Sequence, residues 1–203
     1  MIEYRPIQGS DIPQVIAYFM QYLNSGQSIA DSIQAMWDQG AYQGYIALEG
    51  EEILGFMTAC SGIVFTYPHP ELEAELAEAV GEKPVAYCDA LLVLPGHRNG
   101  GLARELAVRV KELLRQMEYV YFLVEAWIYK DGRAPAKPVY ESMGKVVWQR
   151  KVDGFYRDQD QYGLVCPICG TKCKCSAWIG LIDIRGSGSK AGRGKRAGGD
   201  TEI

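Results

Sequence analysis

Apolar residues recur along the chain with two different periods, which predict two kinds of element. Alternating or continuous apolar runs predict strands at residues 2–7, 45–48, 53–59, 90–94, 120–127 and 145–149. Apolar residues at helical spacing predict amphipathic helices at residues 12–23, 28–39, 71–80, 102–117 and 134–143. Elements interleaved in this order predict a mixed α/β (α+β) fold.

The stretch from Asp89 to Leu114 joins a buried strand to a helix through a glycine-rich turn. The first turn of a helix has free N–H groups and the positive end of the helix dipole. Gly100 and Gly101 have no side chain that would keep a ligand away from the backbone. The stretch therefore predicts a binding site for a phosphate-bearing ligand.

This stretch also resembles a known family. Val93-Leu94-Pro95, followed by Arg98-Asn99-Gly100-Gly101-Leu102-Ala103, resembles the acetyl-CoA loop of the GNAT superfamily of N-acetyltransferases. Arg98, Gly101 and Ala103 fall on the three key positions of that loop, and the order of elements over residues 1–160 is similar to that of the family. The alternative is an ordinary strand-to-helix connection with a glycine at the turn.

The resemblance implies a GNAT-like central mixed sheet flanked by helices, acetyl-CoA as cofactor and a set of residues that bind it. In the family, backbone amides of the fourth strand polarise the thioester carbonyl, and the loop holds the pyrophosphate. Carried over to this sequence, the cofactor-binding residues are Leu92, Val93, Leu94, His97, Arg98, Asn99, Gly100, Gly101, Leu102 and Ala103.

The family also uses a tyrosine as the general acid that protonates the leaving thiolate. Tyr140, four residues before Gly144, resembles that tyrosine, and the alternative is a core tyrosine under the last strand. Two departures from the family pattern are Lys145 in place of a phenylalanine, and the absence of an asparagine ahead of the helix, where Gly132 and Arg133 stand.

The general base has two candidates, Asp89 on the central strand and Glu125 on the next strand. Strand alternation predicts that Asp89 shares a face with Tyr87, Leu91 and Val93, near the acetyl group. Either carboxylate could instead be a structural hydrogen-bonding group.

Six cysteines fall into two groups. Cys60 and Cys88 stand alone in apolar, strand-like surroundings, where a buried and inert thiol is expected. The other four resemble a structural zinc site in which thiolates hold the metal: Cys166, Cys169, Cys173 and Cys175. Reduced thiols or a redox pair are the alternatives, because the spacing matches a zinc ribbon only in part.

The acid-rich predicted helix at residues 71–80 has two interpretations. A solvated helix face is the first, and a lid over the acceptor site that attracts a cationic amine is the second.

Composition and charge refine this account. The chain has 203 residues and a formal net charge of −4, yet residues 164–203 carry seven Lys and Arg against three Asp and Glu. No apolar run approaches the roughly 20 residues of a membrane span, and the N-terminus lacks a signal-peptide pattern. A cytoplasmic protein without membrane contact is expected.

We therefore expect a GNAT-like acetyltransferase domain at residues 1–160, a Cys-rich and possibly zinc-binding knuckle at 161–185 and a disordered basic tail at 186–203. The expected reaction is transfer of the acetyl group of acetyl-CoA to a primary amine of unknown identity by direct attack. The alternative is a non-catalytic binding module that contacts nucleic acid through the basic C-terminus. The tail could instead act only as a solubilising segment.

Overall fold

The computed structural model describes residues 1–61, 70–157, 160, 165–166 and 168–186. Its strands are β1 (Glu3–Pro6), β2 (Tyr42–Glu49), β3 (Glu52–Cys60), β4 (Val85–Val93), β5 (Tyr121–Ile128), β6 (Lys145–Val152) and β7 (Ser176–Asp183). Its helices are α1 (Ile12–Tyr22), α2 (Gln27–Asp38), α3 (Pro70–Val80), α4 (Leu102–Gln116) and α5 (Lys137–Glu141). The predicted mixed α/β fold is confirmed.

The described strands form one mixed sheet with the order β1-β2-β3-β4-β5-β7-β6. Neighbouring strands are antiparallel apart from β4 and β5, which are parallel. Helices α4 and α5 cover one face of this sheet, and α1, α2 and α3 cover the other. Leu106, Val110 and Leu114 of α4 are fully buried, as the predicted apolar stripe requires.

Strand β7 lies within the segment 161–185. It pairs with β5 along its whole length on one side and with β6 from Ala177 to Asp183 on the other. The apolar run Ala177–Ile182, which the predicted set of strands lacked, is almost wholly buried. The C-terminal part of the segment 161–185 therefore lies inside the main sheet.

The sheet opens between its two parallel strands. Strands β4 and β5 pair only where Val85–Tyr87 lies beside Tyr121–Leu123. Beyond that point β4 pairs only with β3, and β5 pairs only with β7. A wedge-shaped gap therefore begins at Cys88 and widens toward the carboxyl ends of both strands.

A β-bulge at Asp89 changes which residues of β4 share a face. Thr58 pairs with Ala90 and Ala59 pairs with Cys88, so Asp89 is an extra residue on β4. Cys88 packs with the α4 side of the sheet, whereas Ala90 and Leu92 pack with the α1 side. The expected single face of Tyr87, Asp89, Leu91 and Val93 is therefore wrong.

The packing of helix α3 favours a solvated helix face over a lid on the acceptor site. Leu72 and Leu76 are buried against β5, β6 and β7, whereas the four glutamates of α3 are half-buried or exposed. Glu75 forms an ion pair with Arg150 at 2.7 Å. No residue of α3 lines the cavity described below. Within the described residues, no helix combines the length and the apolar character that crossing a membrane requires.

Gly144 provides a test of this packing. A Cβ atom at this position would lie 2.0 Å from the carbonyl oxygen of Asp183 on β7, so alanine requires a backbone shift. We expect Gly144→Ala to lower the free energy of unfolding by roughly 2 kcal/mol or more, measured by urea denaturation.

Gly96→Ala is the matched control, because nothing lies within 4 Å of a Cβ atom at that position. If both variants unfold at the same urea concentration, the close approach of β7 to Gly144 is contradicted.

Candidate active site

The gap between β4 and β5 forms part of a cavity of about 1320 Å³. Its lining includes Leu102 and Val139 from the face of α4 and α5, and Phe19 and Ile29 from the face of α1 and α2. The cavity therefore passes through the plane of the sheet and offers a ligand access from both faces.

On one side the cavity meets the loop that precedes α4. The first helical hydrogen bonds are those of Arg104 and Glu105, which both donate to the carbonyl of Gly101. The six preceding N–H groups, from Arg98 to Ala103, donate to no other residue in the described part of the chain. Asn99 and Gly101 have φ angles of +66° and +88°, which turn the backbone around these groups. Free N–H groups in such a turn at a helix N-terminus form a concavity of the kind that can bind an anion.

Arg98 fixes the loop to the end of β4. Its Nε donates a hydrogen bond to the carbonyl oxygen of Val93 at 3.0 Å, and the side chain is exposed. Arg104 also lines the cavity and adds a second cation, which the sequence had not indicated. Two guanidinium groups beside free N–H groups favour a phosphate ligand.

The backbone N–H groups of Leu92, Val93 and Leu94, which the sequence analysis assigned together to the thioester carbonyl, do not all point to the same edge of β4. The N–H of Leu94 donates to the carbonyl of Leu54 at 2.9 Å, toward β3. Because N–H groups alternate between the two edges of a strand, the N–H of Leu92 also points toward β3 and that of Val93 points into the gap. Leu94 and Gly100 are absent from the cavity lining, whereas the other eight expected cofactor residues contribute to it.

Tyr140 lies at the gap on the α5 side. It is 3% exposed, and its phenol oxygen accepts a hydrogen bond from the Cys88 thiol at 3.5 Å. Burial, and then the neighbouring Cys88, raises the pKa of Tyr140 well above its usual value. Burial also raises the pKa of the Cys88 thiol to about 12. Both groups are therefore protonated at neutral pH.

Asp89 lies on the opposite face, at the bulge. Its Oδ2 accepts hydrogen bonds from the Tyr42 hydroxyl at 2.8 Å and from the Thr58 hydroxyl at 3.5 Å. Burial raises the pKa of Asp89 to about 6, although these two donors act in the opposite direction. Asp89 therefore titrates just below neutral pH, in the range in which a carboxylate can accept a proton from an amine.

Glu125 on β5 is partly buried and lines the same cavity. It shares a face with Tyr121 and Leu123, which is the face of Asp89. Burial, and then the charge of Glu125, raises the pKa of Tyr156 well above its usual value. The two carboxylates expected from the sequence therefore lie on the α1 side of the gap, and Tyr140 lies on the α5 side.

The structure brings the four clustered cysteines together. Their Sγ atoms all lie within 4.8 Å of one another, and those of Cys169 and Cys175 are 3.6 Å apart. Four sulfurs bound to a tetrahedral Zn²⁺ at about 2.3 Å would be about 3.8 Å apart. Backbone N–H groups of Cys169 and Cys175 donate to the sulfurs of Cys166 and Cys173. The donor set fits a structural zinc ion with no open coordination position.

Sequence reasoning missed Tyr42, Thr58 and Arg104, and it assigned Cys88 to an inert core position. Strand composition alone does not reveal the bulge that turns Asp89 toward Tyr42 and Thr58. Cys88 carries one usable signal, its position directly before Asp89 on the central strand.

The chain was compared with known proteins by sequence. The model of a family described as the Acetyltransferase (GNAT) family matches residues 14–145. No curated protein matches the chain.

Solved structures with a similar fold were also found. NAA60 of Arabidopsis thaliana in complex with acetyl-CoA has a TM-score of 0.59 at 19% identity, over 92% of this chain and 100% of that one. The putative acetyltransferase yncA of Salmonella typhimurium with acetyl-CoA has a TM-score of 0.58 at 13% identity, over 91% and 94%. A ribosomal-protein-alanine N-acetyltransferase of Brucella melitensis has a TM-score of 0.56 at 12% identity, over 89% and 99%. At these identities the likeness concerns the fold.

The environment of Asp89 generates a prediction about stability and pH. Because its pKa is raised to about 6 in the folded chain, Asp89 stabilises the fold below its unfolded pKa, and this contribution is lost as pH rises through about 6. We expect Asp89→Asn, which keeps an acceptor for Tyr42 and Thr58, to gain stability relative to the wild type by about 1–3 kcal/mol between about pH 4 and about pH 7.5.

Urea denaturation of both proteins at the two pH values measures this change. A stability difference that does not vary with pH would contradict the raised pKa of Asp89.

Proposed function

The chain belongs to the GNAT acetyltransferase family, and from this premise we propose that it transfers the acetyl group of acetyl-CoA to a primary amine by direct attack. One observation carries the proposal. The gap between β4 and β5 has a phosphate-binding loop at one end, a neutral phenol on one face and two carboxylates on the other. These are the groups that an acyl transfer from a thioester to an amine requires.

The cofactor occupies the side of the gap nearer α4 and α5. The free N–H groups from Arg98 to Ala103, with the guanidinium groups of Arg98 and Arg104, bind the pyrophosphate. The N–H of Val93 points into the gap and donates to the thioester carbonyl oxygen, where negative charge develops during attack. The acetyl-CoA complexes of NAA60 and yncA, which have the same fold, support acetyl-CoA as the cofactor.

The acceptor occupies the side of the gap nearer α1 and α2. Asp89 removes a proton from the incoming ammonium, and Glu125 contributes negative charge that favours a cation at this position. The amine nitrogen attacks the carbonyl carbon, and the carbon–sulfur bond of the tetrahedral intermediate then breaks. The departing thiolate takes the phenolic proton of Tyr140, and the excess proton on the new amide nitrogen restores the phenol.

Cys88 is the nucleophile that a covalent alternative would use. Its raised pKa of about 12 keeps it as a thiol at neutral pH, and its hydrogen is directed at Tyr140. A protonated thiol is a poor nucleophile. This supports direct attack by the amine over an acyl-cysteine intermediate.

The acceptor class follows from the walls of the cavity. The cavity lining on the acceptor side includes five aromatic side chains besides the two carboxylates: Phe19, Tyr22, Tyr87, Trp127 and Tyr156. Such walls suit an ammonium carried on an uncharged group, and a protein α-amine is one acceptor of this kind. The fold shared with a ribosomal-protein-alanine N-acetyltransferase supports it.

The alternative of a nucleic-acid-binding module depends on the basic tail. Residues 187–203 of that tail lie outside the described residues. The comparisons give no support to nucleic-acid contact, so the transferase function is the one we propose.

The loop is tested by calorimetric titration with acetyl-CoA. We expect Arg98→Glu to weaken binding by about tenfold or more, because it puts an anion beside the pyrophosphate. Arg115→Glu, at the far end of α4, is the control and should bind as the wild type does. Equal affinities of all three proteins would contradict the assignment of the loop.

The general acid is tested by steady-state kinetics with the best acceptor from a panel of short peptides and small amines. Replacing Tyr140 by Phe removes the phenolic proton and should lower kcat by about 100-fold at unchanged acetyl-CoA affinity. Cys88→Ala should lower kcat by less than about tenfold, since the thiol forms no bond to the acyl group. Loss of all turnover in Cys88→Ala, with an acetylated Cys88 in the wild type by mass spectrometry, would instead show a covalent mechanism.

A further inference from the structure

The four clustered cysteines belong to a short segment that contacts several parts of the main fold. We call residues 165–166 and 168–175 the knuckle. Cys166 and Gly170 exchange backbone hydrogen bonds of 3.2 and 2.8 Å, and Gly170 has a φ of +72°. The knuckle runs directly into β7, whose first residue, Ser176, pairs with Ile128 at the end of β5.

One end of the knuckle is fixed to the loop between α1 and α2. The carbonyl of Val165 accepts hydrogen bonds from the Ser25 N–H at 3.0 Å and from the Ser25 hydroxyl at 3.1 Å. The N–H of Val165 donates to Oδ1 of Asn24 at 3.2 Å, and that oxygen also accepts the N–H of Gly26. Three hydrogen bonds therefore join segments about 140 residues apart in the sequence.

The sulfur cluster itself packs on aromatic side chains of the main fold. Cys166, Cys173 and Cys175 are buried against Trp127 and Tyr156, whose rings are 5.4 Å apart. Trp127 follows Glu125 on β5 by two residues and lies on the same face of the strand. The knuckle thus connects the end of β5 to the α1–α2 loop on the side of the gap that holds both carboxylates.

The knuckle also forms part of the cavity wall. Cys166, Ile168, Thr171 and Cys173 line the cavity together with Asn24 and Ile29 of the α1–α2 region. Ile168 is 61% exposed, so its side chain is accessible to a ligand in the cavity. The phosphate-binding loop lies on the opposite face and has no hydrogen bond to the knuckle among the described residues.

A segment of this size has little apolar surface with which to hold its own shape. Apart from the cysteines, Val165 and Ile168 are its only large apolar residues in the described part of the chain. Short segments of this kind depend on a bound metal for their fold. The four converging sulfurs supply the ligands, and zinc is the metal that such a set prefers.

We infer that the knuckle is the outer wall of the acceptor site, and that a divalent metal bound by its four thiolates holds this wall and the α1–α2 loop in place. The inference rests on the proposed acetyltransferase function. It assigns Ile168 a contact with the acceptor, and it makes acceptor binding dependent on the metal while acetyl-CoA binding is independent of it.

The first test compares the full chain before and after removal of zinc with a chelator under reducing conditions. Elemental analysis should find one zinc ion per chain. Metal removal should raise amide hydrogen exchange at residues 23–26 by about tenfold, with exchange at residues 98–103 and the acetyl-CoA Kd unchanged within about twofold. Absence of bound zinc, or unchanged exchange at residues 23–26, would overturn the inference without bearing on the acetyltransferase function.

The second test compares Ile168→Asp with Val108→Asp, an exposed position on the outer face of α4. The two side chains are 61% and 62% exposed, so they are matched in burial. With a peptide acceptor from the panel, Ile168→Asp should raise the acceptor KM by about fivefold or more without changing the acetyl-CoA Kd, and Val108→Asp should change neither. Indistinguishable acceptor KM values for the two variants would overturn the contact assigned to Ile168.

The two tests also separate the two proposals. Absence of turnover with every acceptor in the panel, in a protein that binds acetyl-CoA, would overturn the proposed catalytic function. Hydrogen exchange at residues 23–26 would still decide whether the metal holds the wall.

Discussion

The separation of β4 from β5 is the constraint on which the rest of the site depends. The two strands share backbone pairing over only three residues each and then diverge, while β3 and β7 hold their outer edges. The inner edges are left with backbone groups such as the Val93 N–H that no neighbouring strand can pair. A ligand inserted between the strands would supply the missing partners, which is where we propose that acetyl-CoA binds.

The bulge at Asp89 places the side chains of Asp89 and Cys88 on opposite faces of the sheet. Without the extra residue, strand alternation would place Asp89 and Val93 on the same face. With it, Asp89 is directed toward Tyr42 and Thr58, and Cys88 is directed toward Tyr140. Proton removal from the amine and proton delivery to the thiolate can therefore occur on opposite sides of one thioester.

The sequence predicts much of the fold because the elements are local. The apolar run at 90–94, the glycines of the loop and the stripe of α4 each depend only on neighbouring residues, and the structure has all three elements. Strand β7 was missed, although its apolar run has the length of a buried strand, since its place between β5 and β6 depends on long-range pairing.

The candidate site was harder to predict for the same reason. The bulge at Asp89 depends on its pairing with Thr58 and Ala59 on β3. The position of the knuckle depends on hydrogen bonds to Asn24 and Ser25, which are about 140 residues away. The most direct measurement is a crystal structure of the chain with acetyl-CoA. The account predicts the pantetheine arm between β4 and β5, with the thioester carbonyl oxygen about 3 Å from the Val93 nitrogen. A cofactor bound elsewhere, with the gap between the strands empty, would contradict it.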